Sequence, residues 1–70
     1  MTLSTILLNV LRQVSDLQPT TPSEVAARFT DLSEQEATET FKELYEKNLI
    51  INERGRFYTS YEGEGIVISS

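Results

Sequence analysis

Two helix-start signatures, Thr21-Pro22-Ser23-Glu24 and Ser33-Glu34-Gln35-Glu36, stand only twelve residues apart, and nothing else constrains this chain as strongly. In each, a hydroxyl can accept from the amide three residues on, while the glutamate at that position reaches back to the cap amide. Pro22 suits a first helical position, whose amide has no intrahelical acceptor. The close spacing leaves room for one short helix over about 22–29, a turn of Thr30 to Leu32, and a second helix starting at 34. Val25, Ala26 and Phe29 form the inner side of the short helix, and Leu32 can staple the start of the next one.

The longer helix, expected over 34–47, carries Ala37, Phe41, Leu44 and Tyr45 at i, i+4, i+7 and i+8. Asn48 should stop it, because asparagine tolerates the left-handed conformation best among residues with a side chain. Before both lies a segment with Leu3, Leu7, Val10, Leu11 and Val14 in helical register and Ile6 and Leu17 beside them. This predicts a helix over about 3–17, capped by Thr2 or Ser4 and ended by Pro19. At about 100° per residue, Leu8 points well away from that stripe and is a candidate exposed apolar residue.

After Asn48 the pattern changes. Leu49, Ile50 and Ile51 read as a strand, Asn52 to Gly55 as a turn, and Phe57, Tyr58 and Thr59 as the returning strand, giving a hairpin over 49–60. At least one of Phe57 and Tyr58 should face inward, and Tyr58 and Tyr61 should pack at the core or its rim. Gly63-Glu64-Gly65 reads as a flexible joint leading to Ile66, Val67 and Ile68, whose β-branching favours an extra strand in the tail 61–70. That strand would pair with the hairpin, with a short strand near Thr20, or with another molecule.

Seventy residues make one domain, 1–70. The chain has no cysteine and no histidine, which removes thiolate nucleophiles, imidazole bases and the usual zinc ligands. No serine, threonine or carboxylate can be matched with a base held by a third group, and no glycine-rich phosphate loop occurs, so no catalysis, metal or cofactor is expected. No segment reaches the length of a membrane span and no basic run precedes the first apolar segment, so no membrane association is expected and a cytoplasmic location is the default.

Three helices followed by a hairpin follow the order of a winged helix-turn-helix domain. Thr21-Pro22-Ser23-Glu24-Val25-Ala26-Ala27-Arg28-Phe29 resembles the first helix of that motif, Leu44-Tyr45-Glu46-Lys47-Asn48-Leu49-Ile50 resembles the junction of recognition helix and wing, and Gly55-Arg56-Phe57-Tyr58-Thr59 is similar to the returning wing strand. The resemblance covers roughly residues 3–60 and implies an α+β, mainly α, fold. It further implies that the third helix would enter a DNA major groove with the wing against the backbone. In larger relatives of this superfamily a helix after the wing commonly builds a dimer; here a homodimer would instead use the tail strand or the first helix.

Charge argues against the DNA role. The chain carries 11 acidic and 6 basic residues, net −5, and the stretch from Glu34 to Lys47 alone is −3. A helical wheel puts Gln35, Glu36, Glu39, Lys42, Glu43 and Glu46 opposite the apolar stripe, setting four carboxylates and one ammonium where phosphates would lie. The leading expectation is therefore a non-enzymatic binding module that meets a basic surface of a partner protein through Glu36, Glu39, Glu43 and Glu46, with Leu8 adding apolar contact. Such a module suits a small regulator or accessory factor of transcription or other nucleic-acid machinery. The alternative is a DNA-binding transcription regulator using Gln35, Thr38 and Lys42 with Arg54 and Arg56 on the wing.

Overall fold

The hydroxyl of Ser4 accepts from the Leu7 amide at 3.3 Å and starts α1, Thr5–Leu17. In this computed structural model residues 3–29 and 31–70 are described; the alternative cap Thr2 and the turn residue Thr30 lie outside them. Leu7, Val10, Leu11 and Val14 are buried along one face of α1, as their spacing requires. Both capping boxes form, at Thr21 with Glu24 and at Ser33 with Glu36. They open α2, Pro22–Ala26, and α3, Glu34–Glu46.

The second helix is shorter than its sequence suggests. Beyond Ala26 the chain tightens, with Arg28 N donating to Val25 O and Phe29 N to Ala26 O, so the last turn is of the 3₁₀ kind. Leu32 is buried at the entry to α3, and Ala37, Phe41 and Leu44 fill the centre of the core. Tyr45 departs from expectation: it is 52% exposed. The stripe centred on Ala37, Phe41 and Leu44 is complete without it, and one further residue turns the side chain about 100° to the rim. There its ring meets Phe57 edge-on at 6.5 Å.

Asn48 adopts φ 61°, and the chain leaves α3 directly into the hairpin β1, Ile50–Glu53, and β2, Arg56–Thr59. The strands pair antiparallel, Ile50 with Thr59 and Glu53 with Arg56, around a two-residue loop. Arg54 and Gly55 both have positive φ, the type I′ geometry that matches strand twist, and Asn52 Oδ1 accepts from the Gly55 amide. Phe57 packs inward, its ring perpendicular to that of Phe41 with centroids 5.1 Å apart. Tyr58 is half-buried, whereas Tyr61 is 92% exposed and packs on nothing, contrary to expectation.

The tail is the main correction. Residues Tyr61–Ser69 form a helix, α4, and supply no third strand, so neither the expected strand pairing nor a dimer through a tail strand has a structural basis. Three local facts outweigh the β-branching of Ile66, Val67 and Ile68. First, Thr20 pairs with Phe57 in both directions, at 2.9 and 2.7 Å, and so takes the outer edge of β2. Second, Ser60 caps α4, its hydroxyl accepting from the Gly63 amide at 3.0 Å, and Glu62 and Glu64 in the first turn suit the helix dipole. Third, Gly63, Ile66 and Val67 lie at i, i+3 and i+4 and turn one face inward, where the two aliphatic side chains pack on the core.

Gly63 is thus no joint. A Cβ there would collide with the carbonyl oxygen of Leu49, so glycine is what lets α4 lie against the start of the hairpin. Gly65, two residues on, has open space around a Cβ and a helical backbone. Gly63→Ala should therefore destabilise the fold by about 1–3 kcal/mol through overpacking, while Gly65→Ala should stabilise it by about 0.5–1 kcal/mol through helix propensity. Urea denaturation of the two variants distinguishes them, and equal effects would contradict the packing of α4.

Candidate functional site

The acidic residues of α3 lie where the wheel places them. Glu36, Glu39, Glu43 and Glu46 are exposed, as are Gln35, Thr38 and Lys42 on the same helix. Glu36 is also engaged in its own helix start: its Oε1 accepts from Ser33 N at 3.0 Å. That backbone bond, with the Ser33 hydroxyl, holds its carboxyl below the usual carboxylate range. The Thr38 hydroxyl donates to the Glu34 carbonyl at 2.9 Å, so its proton turns back into the helix and not outward. Glu39, Glu43 and Glu46 form no ion pair among the described residues.

The wing's cations are not equivalent. Arg56 Nη2 lies 2.7 and 2.9 Å from the two carboxylate oxygens of Glu24 and 3.3 Å from the Pro19 carbonyl, tying β2 to the start of α2. It is the one ion pair among the described residues. Glu24 already accepts from the Thr21 amide and the Thr20 hydroxyl, both at 3.0 Å. The Arg56 bond is the largest cause of its depressed pKa, followed by the Thr20 bond. Arg54, on the hairpin tip, has no such partner among the described residues.

Leu8, expected on the outside, is half-buried. With Leu3, Gly65 and Ile66 it lines the groove between α1 and α4, because the tail folds back as a helix over that side of α1. Glu64 locks the same helix in place. Its Oε1 accepts from Ser15 Oγ at 2.8 Å and stands 2.8 Å from Thr59 Oγ1, which also lies 2.9 Å from Gln18 Oε1. One hydroxyl proton serves one acceptor at a time, and the charged carboxylate is the stronger. The bond from Thr59, then that from Ser15, holds the Glu64 carboxyl low. Sequence reasoning missed this hub and the Arg56–Glu24 pair, since both join residues far apart in the chain.

Apolar side chains at one end of the molecule were also missed. Tyr45 and Ile51 line an open groove with Glu46, Asn48, Asn52 and Glu62, between the end of α3, β1 and the start of α4. The period of two along β1 carries the signal for Ile51: Ile50 is buried, so its neighbour faces out. No cluster of carboxylates placed to hold a metal occurs among the described residues, and no helix among them is long and apolar enough to cross a membrane.

No protein-family model matches the chain, and no curated protein sequence does. Among solved structures, the activation domain of the phage T4 transcription factor MotA superimposes with a TM-score of 0.87. The likeness establishes the fold. It is winged-helix-like, mainly helical α+β, and the match covers 96% of this chain and 70% of the MotA domain at 18% identity.

Two outcomes follow from the carboxylate network. Glu24, Glu36 and Glu64 bind protons more weakly folded than unfolded, so their stabilisation is complete above the unfolded pKa and is lost as pH falls through the lower folded values. Denaturation at a series of pH values should show stability dropping in that acidic window, with a shallower slope in Glu64→Gln. In a double-mutant cycle, Arg56→Ala and Glu24→Gln should be non-additive, with a coupling that shrinks toward ~1 M salt because the pair is half exposed.

Proposed function

We propose that this chain is a non-enzymatic winged-helix module that works by protein contacts, as a small cytoplasmic regulator or accessory factor of transcription or other nucleic-acid machinery. The observation that carries the reading is the state of α3, the helix that faces DNA in DNA-binding members of the superfamily. It presents Glu39, Glu43 and Glu46 unpaired among the described residues, with Lys42 as the ammonium beside them. Phosphates approaching that face meet net repulsion, whereas a basic protein surface meets an attractive field that speeds its association. The engagement of Arg56 by Glu24 further weakens the cationic wing that a DNA mode needs. The likeness to a transcription factor's activation domain supports the transcription setting.

Surface plasmon resonance of the immobilised chain against purified RNA polymerase holoenzyme and against random-sequence duplex DNA tests the reading. Polymerase should be retained and DNA should not, and the Glu39→Lys/Glu43→Lys variant should associate with polymerase about tenfold more slowly or worse. Retention of DNA that is lost in Arg54→Ala/Arg56→Ala would instead select the DNA-binding alternative.

A further inference from the structure

Of the five large hydrophobic side chains exposed among the described residues, two, Tyr45 and Ile51, line the same groove. Tyr45 (52% exposed) and Ile51 (39%) form the apolar wall of the groove between α3, β1 and α4, a space of about 590 Å³. Tyr61 stands between the two α4-side residues of that groove, Ser60 and Glu62. The charged residues that line the groove are both acidic, Glu46 from α3 and Glu62 from α4. Neither carboxylate has an ion-pair or hydrogen-bond partner among the described residues.

The floor beneath them is fixed. The Ser60 hydroxyl donates to the Asn48 carbonyl at 2.6 Å, Ser60 N donates to Leu49 O, and Leu49 N donates to Leu44 O, while Ile50 is fully buried below. A ligand would therefore order little of this surface on arrival, and ordering costs are what most often cancel contact energy. The volume is that of a site for a few side chains, and an exposed tyrosine facing an exposed isoleucine is the composition of an anchor pocket.

We propose that this groove is the docking site for a short basic segment of a partner protein, in which one apolar side chain inserts between Tyr45 and Ile51 while flanking lysine or arginine residues pair with Glu46 and Glu62. The inference rests on the protein-contact reading above and names the segment that such a partner would present. Charge complementarity selects the occupant: the paired carboxylates repel an acidic peptide or a phosphate backbone, and the apolar wall gains nothing from a purely cationic chain.

The test uses three short synthetic peptides and the isotopically labelled full chain, followed by amide NMR. One peptide has lysines around a central phenylalanine, the second replaces that phenylalanine by serine, and the third replaces the lysines by glutamate. Only the first should shift Tyr45, Ile51, Asn52 and Glu62. Its affinity should fall at least about tenfold in Ile51→Ser and in Glu46→Lys/Glu62→Lys, both checked for unchanged folding by their own spectra. Equal binding of the serine peptide, or shifts confined to Glu39 and Glu43, would overturn the groove. Polymerase retention that survives Ile51→Ser but not Glu39→Lys/Glu43→Lys would reject the groove while leaving the protein-contact reading intact. Binding of duplex DNA alone would reject both.

Discussion

One serine holds three elements in register. The Ser60 hydroxyl donates to the carbonyl of Asn48, where α3 ends, and accepts from the amide of Gly63, where α4 begins. Its own amide donates to Leu49 and closes the hairpin ladder between them. The arrangement works because Asn48 can take the left-handed conformation and because Gly63 has no Cβ to strike Leu49. With that junction made, the hairpin lies against α3 through Phe57 and Phe41, and α4 folds back over α1. Without it α4 would lose its start and the apolar tail its place over α1.

Polar side chains then hold the periphery from three sides. Glu64 joins α4 to α1 and β2, Glu24 joins α2 to the wing through Arg56, and Thr20 joins the α1–α2 linker to β2 through its backbone. The half-exposed Arg56–Glu24 pair adds only modest stability, since water and salt screen it. The effect of these contacts is geometric: Glu24 and Glu64 fix a cation and hydroxyls that would otherwise be free for a ligand, and Thr20 fixes the outer edge of β2. Arg56 is the clearest example: its charge is offset by a carboxylate of the neighbouring helix, while Arg54 keeps no such partner among the described residues.

What remains unengaged is correspondingly informative. The outer face of α3 keeps its glutamates in water, and the groove at its C-terminal end adds Tyr45 and Ile51 to Glu46 and Glu62. An acidic field with a nearby apolar anchor point suits long-range attraction followed by short-range fit. The fold is shared with a transcription factor's activation domain, and a fold by itself does not assign a function.

Sequence alone settled the elements whose signals are local. The capping boxes at Thr21 and Ser33, the apolar stripes of α1 and α3, the stop at Asn48 and the hairpin turn at Gly55 each depend on residues a few positions apart. The acidity of α3 was equally legible, because a wheel needs only the helical period. The tail was misread because β-branching outweighed the i, i+3, i+4 spacing of Gly63, Ile66 and Val67. That spacing gains meaning only once Leu49 and α1 are there to pack against. Tertiary structure decided which residues became half-hidden or newly exposed, Leu8 under α4 and Tyr45 and Tyr61 at the rim. It alone paired Arg56 with Glu24 and Thr59 with Glu64, since contacts across 32 residues or between separate elements follow from how the elements pack and leave no periodic trace in the chain.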